Sequence, residues 1–170
     1  MYKINRSQIY LAVLIALFIH LTVLKYVMIF GASPNLVLIC VIFFGLFSGP
    51  SAGLESGAVA GLLCDIFALD FFGMNALVYA VTGLAAGALS AKVFKESKKT
   101  DFGIVFFLTA FAMSLHFALV SALSKSLILT SSEYFLSSVL PASLYTAVVA
   151  IPVFLRFISI YNFRELQGLL

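Results

Sequence analysis

The sequence predicts an all-α membrane protein, a bundle of six transmembrane helices forming one integral membrane domain over residues 1–170. Mean hydropathy is +1.16 and only 10% of the residues are charged, which excludes a soluble core. Apolar runs near the roughly 20 residues that cross a bilayer recur six times, at 7–27, 34–49, 51–70, 71–93, 102–124 and 135–158. Because these runs fill most of the chain, no soluble domain is expected.

The first run follows a basic N-terminus, Met1–Arg6, as the apolar core of a signal peptide would. It is long for such a core and lacks a small-x-small cleavage site. It is therefore predicted to be a retained first helix.

The next three runs are separated by short turns. Pro34 suits the first turn of helix two, Ser48–Ser51 forms a tight turn before helix three, and Asp70–Gly73 forms another before helix four. The polar stretch 95–101 then divides the chain into two halves, and helices five and six follow it.

Orientation follows from the positive-inside rule. With six spans and both termini in the cytoplasm, eight basic residues lie inside (Lys3, Arg6, Lys92, Lys95, Lys98, Lys99, Arg156 and Arg164) and two outside (Lys25 and Lys125). If 51–70 were re-entrant, three would lie inside and seven outside. The six-span arrangement with N-terminus and C-terminus inside is therefore expected.

Residues 45–65 carry a glycine at every fourth position, and the series ends at an acid: Gly45, Gly49, Gly53, Gly57, Gly61 and then Asp65. Small residues at this spacing share one helix face and let another backbone approach closely in lipid. Gly83 and Gly87 begin a second stripe on helix four. The stripes predict a close contact between helices three and four, or a face left for a partner.

Inserting an aspartate such as Asp65 at the centre of a membrane helix costs about 2.5–3.5 kcal/mol of free energy on insertion scales. His20 and His116 lie in the outer halves of their spans, so one interpretation is a shared proton or substrate site. The alternative is that Asp65 accepts bonds from backbone donors of the 71–73 turn or the start of helix four, where Asn75 also lies. The residues leave both open and predict Asp65, His20, His116 and Asn75 as buried polar groups.

Catalysis is not expected. The acids Asp65 and Asp70 after Gly61 suggest the motif of phosphatidyl-alcohol transferases. That motif requires the second acid four positions after the first, whereas Asp70 lies five positions after Asp65, and its upstream half is absent here. No zinc spacing, phosphate loop or dinucleotide fingerprint is present, so no catalytic, cofactor or metal residue is predicted. Cys40 and Cys64 fall inside spans and are interpreted as packing residues. No basic patch with interleaved aromatic residues indicates nucleic acid, and the surroundings expected are membrane lipid.

The stretch from Ser33-Pro34-Asn35-Leu36 through the glycine series to Asp65, then Gly73 and Asn75-Ala76-Leu77, resembles the rod shape-determining protein MreD family over about residues 33–90. That resemblance implies a non-enzymatic component of the bacterial inner membrane, in the elongasome that directs lateral peptidoglycan synthesis. It implies binding to the bitopic protein MreC, and through it joint action with MreB, RodA and a class B penicillin-binding transpeptidase.

The fold implied by the resemblance is that of the six-helix substrate-binding (S) subunits of energy-coupling-factor transporters. A vitamin-binding subunit of such a transporter is therefore the alternative function. It would require a pocket near the outer face with several polar groups.

Overall fold

A computed structural model shows a bundle of six α-helices and describes residues 6–22, 34–68, 71–93, 98–124 and 135–167. The helices are α1 (Arg6–Thr22), α2 (Leu36–Ser48), α3 (Pro50–Phe67), α4 (Met74–Val93), α5 (Lys98–Ser124) and α6 (Leu140–Gln167), the last preceded by a π-helical turn at Phe135–Val139. The described ranges contain no β-strand. The all-α prediction with six helices is confirmed.

The helices follow the predicted spans with shifted ends. α3 finishes at Phe67, before the predicted 70, whereas α5 starts at Lys98 and α6 continues to Gln167, both beyond their apolar runs. Lysine, glutamate and glutamine are good helix formers. A helix can therefore extend beyond the apolar segment from which its ends were predicted. The predicted ends at 23–27 and 69–70 lie outside the described residues.

Among the described residues, one segment, Gly103–Leu123 in α5, is long and apolar enough by length and composition to cross a membrane. The apolar stretches of four other helices are of 10–17 residues: Ile9–Thr22, Leu36–Ser48, Met74–Ser90 and Leu140–Phe154. Among the described residues α5 thus meets this criterion, whereas the sequence predicted six spans.

α2 is the central helix of the bundle. It packs against α1, α3, α4, α5 and α6, and all of its residues from Val37 to Leu46 are buried. A helix that is apolar on every side requires such a fully buried position or lipid. On the α6 side, Phe43 stacks on Phe47 at 4.2 Å between ring centroids and meets Phe154 edge-on at 5.4 Å.

α1 packs on α2 and α3. Its buried residues recur at helical spacing, as in Ile9, Val13 and Leu17. The Tyr10 hydroxyl donates a hydrogen bond to Glu55 Oε1, which gives this half-buried carboxylate on α3 a polar partner from α1.

The buried threonine hydroxyl groups of Thr82 and Thr109 are satisfied within their own helices. Thr82 donates to the carbonyl of Val78 at 2.7 Å, and Thr109 donates to Val105 at 2.8 Å. These bonds remove the desolvation penalty of an unpaired buried hydroxyl, so polar residues occur inside the bundle without needing a ligand.

Candidate functional site: the α3–α4 contact and its cap

The glycine stripe of α3 faces α4 along its length. A Cβ atom at Gly53 would lie 2.6 Å from the carbonyl carbon of Gly83, and one at Gly57 would lie 2.8 Å from the Cα atom of Ala80. A Cβ at Gly61 would likewise overlap backbone atoms of α4. Real Cβ atoms essentially never approach other heavy atoms within 3.0 Å. Glycine is therefore required for the observed distance between the two backbones.

The pairing runs antiparallel, as expected for two helices joined by a short turn. Gly53 lies against Gly83, and one turn further along α3 Gly57 lies against Tyr79. The next turn places Gly61 against Ala76. The stripe is thus occupied by a helix of the same chain, which is one of the two alternatives that the sequence left open.

Three helices meet at one point of this contact. A Cβ at Gly45 of α2 would lie 2.6 Å from the carbonyl oxygen of Gly83, and one at Gly53 would lie 2.9 Å from the Cα atom of Gly45. Gly83 in turn faces Val41, whose Cγ1 atom is 2.9 Å from the position of an added Cβ. The absence of side chains at three positions brings α2, α3 and α4 together here.

Gly49 differs from the rest of the stripe. It lies in the turn between α2 and α3 with φ +92° and ψ −177°, a conformation open essentially to glycine alone. Pro50 occupies the first turn of α3, where its missing N–H leaves no bond unmade. Gly49 thus lies in the turn predicted at Ser48–Ser51 and not within a helix, and it still meets α4, because a Cβ at Gly87 would lie 2.6 Å from its carbonyl carbon.

The acid that ends the stripe caps the next helix. Asp65 is 4% exposed, and its Oδ2 atom accepts hydrogen bonds from the backbone N–H groups of Gly73 at 3.0 Å and Ala76 at 3.1 Å. Its Oδ1 atom accepts from the N–H of Asn75 at 3.1 Å. The first N–H groups of a helix have no partner inside it, and negative charge is favourable there. Asp65 thus joins the end of α3 to the beginning of α4.

Gly73 shapes the turn that makes this cap. Its φ of +95° lies in the left-handed region that favours glycine, and a Cβ there would meet nothing within 4 Å. Conformation rather than space therefore calls for glycine at this position. The adjoining turn is closed by a bond from the N–H of Met74 to the carbonyl of Phe71 at 3.2 Å.

The other predicted polar residues are distributed around the bundle. His20 lies half-buried on α1, and its Nδ1 atom has no hydrogen-bond partner among the described residues. His116 on α5 and Asn75 on α4 line a small cavity. Both Asp65 oxygens bond to main-chain N–H groups. The structure therefore gives Asp65 the capping geometry and not a bond to an imidazole.

Asn35, which was singled out only as part of a motif, connects three helices. Its side-chain oxygen accepts from the N–H of Leu38 at 2.9 Å and so caps α2, while its Nδ2 atom donates to the Tyr79 hydroxyl of α4 at 2.7 Å. Its backbone N–H donates to Thr146 Oγ1 of α6 at 3.2 Å. Asn35 and Asp65 cap the helices that start at the same end of the bundle, here named the cap end.

A scan against protein-family models supplies the identification. The model described as rod shape-determining protein MreD matches residues 1–164. The chain belongs to the MreD family. The match covers nearly the whole chain, whereas the sequence motifs extended over about 33–90, and it confirms the resemblance. Neither a curated protein nor a solved structure matches this MreD chain.

Membership assigns the chain a role in rod shape determination and an association with the membrane, since MreD proteins are shape-determining components and not a family of known enzymes. In the described part of this MreD protein, His, Cys, Asp and Glu side chains do not gather in any group of three or more that could hold a metal ion. The contacts between α3 and α4 pack these helices together and cap α4.

Proposed function

We propose that this MreD protein is a multi-pass, non-enzymatic scaffold of the bacterial inner membrane, within the complex that directs lateral peptidoglycan synthesis. The observation that carries the proposal is the family match over residues 1–164. The α3–α4 contact supports it, because a backbone-to-backbone contact whose end is capped by Asp65 fixes the positions of the helices.

The exposed surface supports insertion in a bilayer. Phe18 is 70% exposed, Phe72 70% and Phe107 71%, on three different parts of the bundle. Soluble proteins rarely leave large apolar patches in water, whereas lipid tails solvate such side chains. A bilayer around the bundle accounts for this surface.

The short central helix is compatible with a six-span protein. Thirteen residues rise about 20 Å, against a hydrocarbon core of about 30 Å. α2 packs against five helices and its residues from Val37 to Leu46 are buried, so most of its length faces protein and not lipid. Non-helical backbone is tolerated at membrane depth where protein covers it, and Asn35 and Gly49 make hydrogen bonds at the two ends of α2.

The proposed topology places both termini in the cytoplasm and the cap end outside. The eight-to-two distribution of basic residues supports it. Alkaline phosphatase fused after Ser97 or after the C-terminus should stay inactive, while a fusion after Ser131 should be active. Green fluorescent protein at the same sites is the matched control and should give the opposite pattern. An active phosphatase after Ser97 would contradict six spans.

The partner proposed is MreC, and through it MreB, RodA and a class B penicillin-binding transpeptidase. Since α4 occupies the glycine stripe, the partner contact uses another surface of the bundle. In a rod-shaped host depleted of its own MreD, expression of this chain together with its cognate MreC should restore rod shape, and the tagged chain should retain MreC through purification.

The control for this test is a tagged, unrelated six-span protein, which should neither retain MreC nor restore rods. Rounded cells at normal abundance of the chain, with MreC lost in the wash, would contradict the proposal. Retention of a pair of ATPases instead would favour the transporter subunit.

The likeness to the S subunits of energy-coupling-factor transporters is kept as a proposal about fold alone. The cavity described above measures about 150 Å³. Pockets for drug-sized ligands span roughly 300–1,000 Å³. This space is too small for a vitamin, so this cavity does not supply the pocket that the transporter alternative requires.

A further inference from the structure

The cavity at the cap end lies between α2, α4 and α5 and measures about 150 Å³. Its lining residues are of two kinds. Four are apolar, namely Leu38, Val78, Ala112 and Met113, and four are polar, namely Asn35, Asn75, Tyr79 and His116. A space lined by both kinds suits a molecule or side chain that has an apolar body and a polar group.

The charges around the cavity select a neutral occupant. None of the lining residues is a lysine, arginine, aspartate or glutamate. The Asp65 carboxylate caps the N-terminus of α4, so its negative charge and the positive end of that helix offset each other. An ion in the cavity would therefore find no full opposite charge among the lining residues, and burying an unpaired ion is expensive.

Asn75 provides the hydrogen-bonding group. Its main-chain N–H is bonded to Asp65, but its half-buried side-chain amide has no hydrogen-bond partner among the described residues. Asn35 and Tyr79 already bond to each other at 2.7 Å and form a fixed part of the wall. The carboxamide of Asn75 carries both a hydrogen-bond donor and an acceptor. Its best partner is therefore a ligand group that also carries a donor and an acceptor.

We propose that this cavity binds a neutral carboxamide or hydroxyl group carried on a small apolar body, with Asn75 as its hydrogen-bonding partner. The size is that of an aromatic ring, since an apolar cavity of about 150 Å³ in another protein accommodates benzene. The group comes either from a free solute or from a side chain of a bound protein. The inference does not rest on the proposed scaffold function.

Three probes of one shape and different charge test the proposal: benzamide, benzoate and benzylammonium. Ligand-observed saturation-transfer NMR on the purified full chain in nanodiscs should show saturable binding of benzamide. The two charged analogues should bind at least about fivefold more weakly. Equal binding of all three, or no saturable binding, would overturn the proposal.

Two variants separate binding in the cavity from partition into lipid. Asn75→Leu keeps the main-chain bond to Asp65 and should weaken benzamide binding about fivefold or more, the loss expected for one hydrogen bond. Ala112→Leu, which places a larger side chain at a lining position, should have a similar effect. Leu77→Ala changes an exposed residue of α4 outside the cavity and should leave binding unchanged. Unaltered binding in both folded cavity variants would refute the assignment.

A final comparison identifies the source of the group. The titration is repeated on the chain purified with MreC. If MreC supplies the side chain, benzamide binding is lost in the complex; if a free solute is the natural occupant, binding persists. Failure of MreC to co-purify counts against the proposed function alone, because the titration of the isolated chain stands by itself.

Discussion

Replacing both Gly57 and Gly61 with leucine is expected to separate α3 from α4 and to lower the amount of folded protein in the membrane by about tenfold or more. At both positions even a single added carbon would meet backbone atoms of α4, which cannot rotate away as a side chain can. Overpacking in a core costs about 1–3 kcal/mol per site, and two adjacent sites add. The measurement is membrane abundance by immunoblot, together with cell shape in a depleted host.

The matched control is another helical glycine with free space around it. A Cβ at Gly103 in α5 would meet nothing within 4 Å. Gly103→Ala should therefore leave abundance unchanged or raise it slightly, because alanine is favoured over glycine inside a helix by about 0.5–1 kcal/mol. Gly57→Ala should fall between the control and the double leucine variant. Wild-type abundance and rod shape in the double variant would show that α3 does not require this contact.

Replacing Asp65 should cause the second large loss of folded protein. The loss should increase with the number of backbone N–H groups that are left without an acceptor. Leucine leaves the three N–H groups of Gly73, Asn75 and Ala76 without an acceptor. Each buried donor left unsatisfied costs about 1–3 kcal/mol. We expect Asp65→Leu to lose most of the folded protein, measured by membrane abundance and by thermal denaturation of the purified chain.

Asp65→Asn tests the same cap with one atom changed. Its oxygen can replace Oδ2 and keep two of the three bonds, but its NH₂ group then faces the N–H of Asn75, donor against donor. Abundance should therefore lie between that of the wild type and that of Asp65→Leu. Normal abundance with loss of rod shape would instead assign Asp65 a role in proton exchange.

The glycine series was visible in the sequence because its spacing of four repeats over five turns. The spacing alone indicates that a backbone comes close, but does not say whose backbone it is. The structure supplies α4, and the short turn around Gly73 explains it, since two helices joined by so few residues must run antiparallel side by side. Gly49 shows what the spacing cannot distinguish, because a glycine in a turn can lie four residues from its neighbours in the series without being part of a helix.

The central position of α2 could not be predicted, for a physical reason. In a soluble chain a helix that is apolar on every side must be buried. In a membrane chain lipid and protein are equally apolar surroundings, so hydropathy does not separate α2 from helices that expose residues such as Phe18 or Phe107. The role of Asn35 was hidden likewise, since its bonds to Tyr79 and Thr146 join residues distant in sequence.

The burial of α2 has a consequence for how the chain is made. α2 is the second helix to leave the ribosome, yet α5 and α6, which complete its enclosure, are synthesised last. Until they arrive, the flank of α2 that bears Phe43 lacks Phe154. During synthesis the chain therefore passes through an intermediate in which α2 is only partly enclosed, and the insertion machinery must protect it. A chain that ends after residue 94 should be degraded by membrane proteases.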